Sequence, residues 1–165
     1  MNRSMGQCIG IFLTTLILGA FICYGYEKWP DGIFAFCAPQ NTSVWELSKI
    51  AIWPCVLAIF LWHTRRWEKG SICAYLLVPA ALPVALLFVY WFLHMVCGIC
   101  SPILDTVIWI LMLITGYLTA TVLGDTAFAK QALPMVCMLV FVWICMYTIF
   151  SVFPADLPIF IDTIS

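Results

Sequence analysis

Apolar residues fill five long stretches of this chain, and polar residues collect in the breaks between them. A membrane helix needs about 20 mostly apolar residues. The stretches cover about 7–26, 44–63, 72–97, 103–123 and 132–153. The pattern predicts an all-α integral membrane bundle of five transmembrane helices, forming a single domain over 1–165. One loop of seventeen residues (27–43), three shorter loops and a twelve-residue tail are left over, with no room for a soluble domain. No internal repeat is visible, so the inverted-repeat signature of many secondary transporters is missing. Arg3 precedes the first stretch as in a signal peptide. Its apolar run exceeds the usual length, however, and no A-x-A site follows, which predicts a retained helix.

Composition sharpens this picture. The 165 residues are 65% apolar and 9% charged, with a mean hydropathy of +1.09. Soluble domains run at about 45–50% apolar and about 25% charged. These values exclude a soluble globular enzyme and intrinsic disorder. Seven Lys+Arg against eight Asp+Glu give a net charge of −1. With no basic patch, nucleic acid is excluded as a partner. The partners that remain are the lipid bilayer and a protein partner or a second copy of the chain.

The placement of charge says more than its sum. Basic residues in short loops mark the cytoplasmic side. Arg65, Arg66 and Lys69 share the second loop, Arg3 is at the N-terminus, and Lys130 is in the fourth loop. Five spans put these on one side, opposite Lys28 and Lys49. The expectation is an N-terminus in the cytoplasm and a C-terminus outside, in the bacterial inner (cytoplasmic) membrane. Acids show the reverse bias: Glu27, Asp31, Glu46, Asp105, Asp156 and Asp162 fall at the outer end, Glu68 and Asp125 at the inner. Acids contribute little to topology, so the outer end is where function is sought.

That end gathers Tyr26, Glu27, Asn41, Thr42, Ser43, Trp45, Glu46, Lys49, His94, Asp105, Asp156 and Asp162. Ionisable groups at membrane depth usually face the bundle interior or a wet cavity. A polar outer pocket holding Glu27, Glu46 and Asp105 together is therefore the expected site. Plainer roles stand beside it. Ser43-Val44-Trp45-Glu46 has the form of a capping box. Ser101-Pro102 reads as N-cap and first helical residue, and Asp105 suits the helix dipole. Glu46 and Lys49 are i, i+3 neighbours that can pair. His94, alone on a very apolar helix, reads first as a packing histidine and second as a ligand.

Prolines 54, 79, 83 and 134 lie inside spans, where each frees a carbonyl and tends to kink the helix. The eight Trp, with Tyr24, Tyr26, Tyr90 and Tyr117, read as interface anchors. Nine cysteines occur, mostly inside spans as small apolar filler. Cys97-Gly98-Ile99-Cys100 is the exception, a C-x-x-C on a short outer loop, with Cys37 in the other outer loop. Membrane thiol–disulfide oxidoreductases that use a quinone have this kind of layout, although a relay wants a second loop pair. No metal-site spacing, Gly-rich phosphate loop, G-x-S-x-G or H-E-x-x-H is present, and the sequence names no cofactor.

Several of these residues form longer motifs. Tyr26-Glu27, the run from Phe36 through Cys37-Ala38-Pro39-Gln40-Asn41-Thr42-Ser43-Val44-Trp45 to Glu46, Lys49 and Trp53-Pro54 resemble the domain-of-unknown-function family 6512. Its members are small, uncharacterised bacterial multi-span membrane proteins. The tail Phe153-Pro154-Ala155-Asp156-Leu157-Pro158-Ile159-Phe160-Ile161-Asp162 is similar to that family's ending, and Asp105 fits its L-D. Cys23, Thr42, Leu47 and Asp156 stand where the family has His, Glu, His and His. The resemblance implies that a His/Glu metal or proton site, if the family has one there, is lost or weakened here. It implies a fold and an address but no activity.

Three functions remain in order. The first is binding of a small polar ligand, lipid headgroup or partner at the outer pocket. The second is an outer-facing enzyme, either a carboxylate-assisted hydrolase or transferase, or a thiol oxidoreductase using Cys97 and Cys100. The third is a small transporter or transporter subunit, weakened because the mid-depth residues are mainly Ser, Thr and Gly (Thr14, Thr15, Thr115, Gly116, Thr119) and no charge lies clearly at the centre. The orientation is open to test. Alkaline phosphatase fused to the C-terminus is expected to be active, and a silent fusion would overturn the outward tail.

Overall fold

The computed structural model describes residues 3–30, 32–63, 69–124 and 126–153, without the side chains of 3, 4, 63, 69–71 and 130. Among these residues helix is the only regular structure. Helix α1 (Arg3–Lys28) leads by a short α2 (Ile33–Cys37) into the second apolar stretch. That stretch is a broken rod, α3 (Val44–Ser48), a 3₁₀ turn (Lys49–Ala51) and α4 (Trp53–His63). Then come α5 (Lys69–Trp91) with a π-helical turn at Phe92–Val96, α6 (Pro102–Leu123), a short α7 (Ala127–Gln131) and α8 (Leu133–Val152). Five of the resulting segments are long and apolar enough to cross a membrane: Met5–Lys28, Val44–Trp62, Ile72–Val96, Pro102–Leu123 and Leu133–Val152. All five lie within one or two residues of the stretches read from the sequence.

The irregularities have local causes. Pro54 has no N–H to give Ile50, and its ring crowds that carbonyl. The backbone before it tightens into the 3₁₀ turn, with Ile52 N–H donating to the Lys49 carbonyl at 3.1 Å. Pro79 and Pro83 do not end α5. In the turn that Pro83 loosens, the Ala80 carbonyl accepts Trp143 Nε1–H from α8 at 3.0 Å. That bond ties α8 to α5. At the far end of α5 the Cys97 amide reaches the Phe92 carbonyl, five residues back, and opens the π turn that carries His94.

Helix α5 packs against α4, α6, α7 and α8, while α1 packs against α4 and α6. The outside of the bundle is apolar: Ile17, Phe60, Phe88, Val122 and Phe141 are exposed. The inside is also mainly apolar, but it takes in the polar groups Thr15, Ser43, Glu46, Ser48, Lys49, His94 and Asp105, which are buried. That arrangement suits lipid, which gives apolar side chains no reason to hide. Hydroxyls tie the helices together. Thr15 meets Tyr117 at 2.8 Å, Ser48 meets Tyr147 at 2.6 Å, and Trp62 Nε1–H donates to Thr14 at 3.0 Å. Tyr90, Tyr117, Trp45 and Trp109 are buried. This corrects their reading as interface anchors, because each ring fills a helix contact. Tyr24 is exposed, as an anchor would be.

The mid-depth threonines are also absorbed by the fold. Thr14, Thr15, Thr115 and Thr119 each donate to a carbonyl of their own helix. Gly10 lets Trp62 approach α1; a Cβ there would lie 2.4 Å from the ring, whereas one at Gly6 would meet nothing. Gly10→Ala is expected to destabilise the protein by about 1–3 kcal/mol through overpacking. Gly6→Ala should cost nothing, and thermal unfolding in mild detergent compares the two.

Candidate functional site

The end of the bundle that carries Asp105 is organised around two buried acid–base pairs. The first lies within the second span. Lys49 Nζ meets Glu46 Oε2 at 2.5 Å, with the two side chains 0% and 8% exposed. A buried ammonium needs such a countercharge, because desolvation penalises it heavily. Glu46 has a second task. Its Oε2 accepts the Gln40 amide at 3.0 Å, which ties the preceding loop to the bundle.

The capping box therefore forms by half. Ser43 Oγ accepts the Glu46 amide at 3.3 Å, as the motif predicts. The reciprocal bond is absent, since the Ser43 amide donates to Asn41 Oδ1 at 3.0 Å. Asn41 takes the donor that Glu46 would have claimed, and the carboxylate turns to Gln40 and Lys49 instead. Trp45 packs its ring on Tyr147 and Phe150 of α8, at 4.7 and 5.4 Å between centroids. Asn41, Ser43, Trp45, Glu46 and Lys49 thus form one locked corner.

The second pair joins α5 to α6. His94 Nε2 lies 3.0 Å from Asp105 Oδ1, with the side chains 2% and 10% exposed. His94 Nδ1 is buried with no partner among the described residues. Tyr90 stacks on the imidazole at 5.9 Å and 17°, and its hydroxyl donates to the Asp105 carbonyl at 3.0 Å. Tyr90 and His94 are i, i+4 neighbours on one helix face, as are Asp105 and Trp109 on the next. Ser101 and Pro102 stand at the N-cap and first helical positions of α6, but the serine side chain makes no capping bond. Asp105 is held by histidine as well as by its place in the first turn.

A cavity of about 480 Å³ lies against this second pair. Its walls come from α1 (Leu16, Gly19, Ala20, Cys23), from the loop and second span (Pro39, Thr42, Leu47, Ile50), and from Tyr90 and His94. Cys100, Pro102, Asp105, Thr106, Trp109 and Ile110 complete it. The lining is mainly apolar, and the ionisable groups sit at one end. Gly19 lets the Trp109 ring close against α1, since a Cβ would lie 2.8 Å from it. The locked corner holds the Pro39–Thr42 wall in place.

The predicted site residues divide. His94 and Asp105 line the cavity. Glu46 and Lys49 do not; they brace its loop wall. Tyr26 is half-buried and Glu27 exposed at the end of α1, away from the lining. The expectation that Glu27, Glu46 and Asp105 share one cavity is corrected: each has a different environment, and only Asp105 borders the cavity. Asp162, with Asp31, Arg65, Arg66, Glu68, Asp125 and the tail motif after Phe153, lies outside the described residues. Sequence reasoning passed over Tyr90, Trp109 and Cys23 as site residues. The first two carried a signal in their four-residue spacing from His94 and Asp105.

The thiols also separate. Cys97 and Cys100 are exposed and Cys37 is half-buried. Burial pushes the Cys37 thiol up from its usual pKa, with the Lys49 ammonium pulling it part of the way back. Among the described residues no group of three His, Cys, Asp or Glu is arranged to hold a metal ion. Comparison with protein-family models, with curated proteins and with solved structures gives no match.

The bracing role of Lys49 has a measurable consequence. Lys49→Met strands the Glu46 carboxylate, and breaking a buried pair in this way costs about 3–5 kcal/mol. Adding Glu46→Gln, which can still accept the Gln40 amide, should restore much of the loss. Denaturant titration of both variants in detergent reads the difference.

Proposed function

We propose that this chain is a multi-pass membrane protein that binds a small amphiphile in the cavity between α1, the second span and α6. Its polar head would meet His94 and Asp105. The observation that carries this reading is the make-up of the cavity: about 480 Å³ of mainly apolar wall with one buried acid–base pair at its end. Ligand cavities of about 300–1,000 Å³ typically combine apolar walls with a few convergent polar groups. Exposed Pro102 and Thr106 belong to the same wall, which gives a lipid-soluble molecule a way in from the bilayer side.

In this reading the Asp105 end of the bundle faces outward from the bacterial cytoplasmic membrane, with the N-terminus inside, as the basic loops favour. The motif that resembles family 6512 would then have a structural use, because its Pro, Asn, Ser, Trp, Glu and Lys positions build and brace one cavity wall. A carboxylate-assisted enzyme is the weaker reading, since Glu27, Glu46 and Asp105 are apart. Transport is weaker still, with the mid-depth hydroxyls bonded within their helices.

Native mass spectrometry on gently solubilised protein tests the binding. A co-purifying amphiphile is expected on the wild-type chain. It should be lost from Leu16→Trp, which fills the cavity, and weakened in Asp105→Ala. A wild-type protein without an adduct, or an adduct retained equally by Leu16→Trp, would overturn the reading.

A further inference from the structure

Amphiphile binding leaves the thiols of the α5–α6 loop without a role. Cys97 and Cys100 are both exposed. Between them Gly98 adopts a φ of 67°, a left-handed conformation that favours glycine, and the chain leaves the π turn there with the Ile99 amide donating to the Leu93 carbonyl at 2.9 Å. Cys100 has a second property, since it also lines the cavity beside His94 and Asp105. One member of a vicinal dithiol therefore borders the space in which a lipid-soluble molecule would sit.

We propose that the Cys97–Cys100 dithiol passes two electrons to a quinone-class ring held in this cavity. The proposal rests on the amphiphile-binding reading and names the ligand class. Both S–H bonds break and one S–S bond forms between Cys97 and Cys100. The two carbonyl oxygens of the ring take up the two electrons and two protons, so quinone becomes quinol. The dithiol is the reductant, the quinone is the oxidant, and no further reactant is consumed.

Three features of the cavity favour this acceptor. Its apolar lining and its reach to the exposed Pro102 and Thr106 suit a two-electron oxidant that dissolves in lipid. Tyr90 and Trp109 in the lining give aromatic contacts that suit a ring. The His94–Asp105 pair supplies a proton carrier. Asp105 holds one imidazole nitrogen and the other has no partner among the described residues, which is the arrangement of an oriented acid–base histidine. Cys37 is half-buried, and burial pushes its thiol up from the usual pKa.

The test uses the full-length chain, reduced and in mild detergent without oxygen, with decylubiquinone as the probe. Its ring is fully substituted, so a thiol cannot simply add to it. After quenching with an alkylating reagent, peptide mass spectrometry reads the segment containing Cys97 and Cys100, and absorbance reads the quinol. The expected result is a segment protected from alkylation and lighter by about 2 Da, with matching quinol formation. Cys100→Ser and Cys97→Ser should each abolish both signals, and Cys137→Ser, on α8, should change neither. Decylubiquinone that binds while the segment stays fully alkylated would overturn the proposal and leave amphiphile binding standing. So would a different co-purifying amphiphile with no uptake of the quinone. Oxidation that proceeds equally in Leu16→Trp would overturn it as well, by placing the reaction outside the cavity.

Discussion

A charged amine inside an apolar bundle is tolerated only against a countercharge, and the pairing of Lys49 with Glu46 meets that constraint. Much of the Asp105 end follows from it. The carboxylate that neutralises Lys49 also accepts the Gln40 amide. That bond sets the loop against the bundle and gives the cavity its Pro39–Thr42 wall. Lipid would not hold such a loop, because it provides no hydrogen bonds. These buried polar groups are thus a fixing device as much as a site.

The His94–Asp105 pair answers the same constraint between two different helices. Its members are far from redundant with the first pair. Glu46 and Lys49 are one turn apart and close on each other, with the Gln40 amide as a further partner. His94 and Asp105 hold α5 to α6 and leave one imidazole nitrogen open. An inward-facing acid–base pair with unused hydrogen-bonding capacity is a poor choice for stability alone. Beside an apolar cavity of this size, it has a use in orienting a ligand's polar head or moving a proton.

Outside these pairs, the bundle relies on close packing and single hydrogen bonds between helices. Glycines on α1 admit the rings of Trp62 and Trp109. Hydroxyls of Thr15 and Ser48 meet tyrosines from α6 and α8. These are the contacts expected where burial of apolar surface gives no net drive for helices to associate. The same logic explains why the aromatic residues divide between buried rings and exposed ones such as Trp29 and Phe153. Proximity to a span end in sequence does not distinguish a ring packed inward from one facing the headgroups.

The sequence by itself determined the five spans, because a bilayer sets a minimum apolar length that composition alone can meet. It also determined the serine cap at Ser43 and the pairing of Glu46 with Lys49, since each depends on residues within four positions. The tertiary structure alone decided which polar groups share a cavity. His94 and Asp105 are eleven residues apart on different helices, and only the packing of α5 on α6, with the π turn at Phe92–Val96, brings them to 3.0 Å. It also decided that Glu27 stays exposed while Asp105 is buried, though both sit at span ends. Depth along a helix is written in residue number. The direction a side chain faces depends on what packs against it.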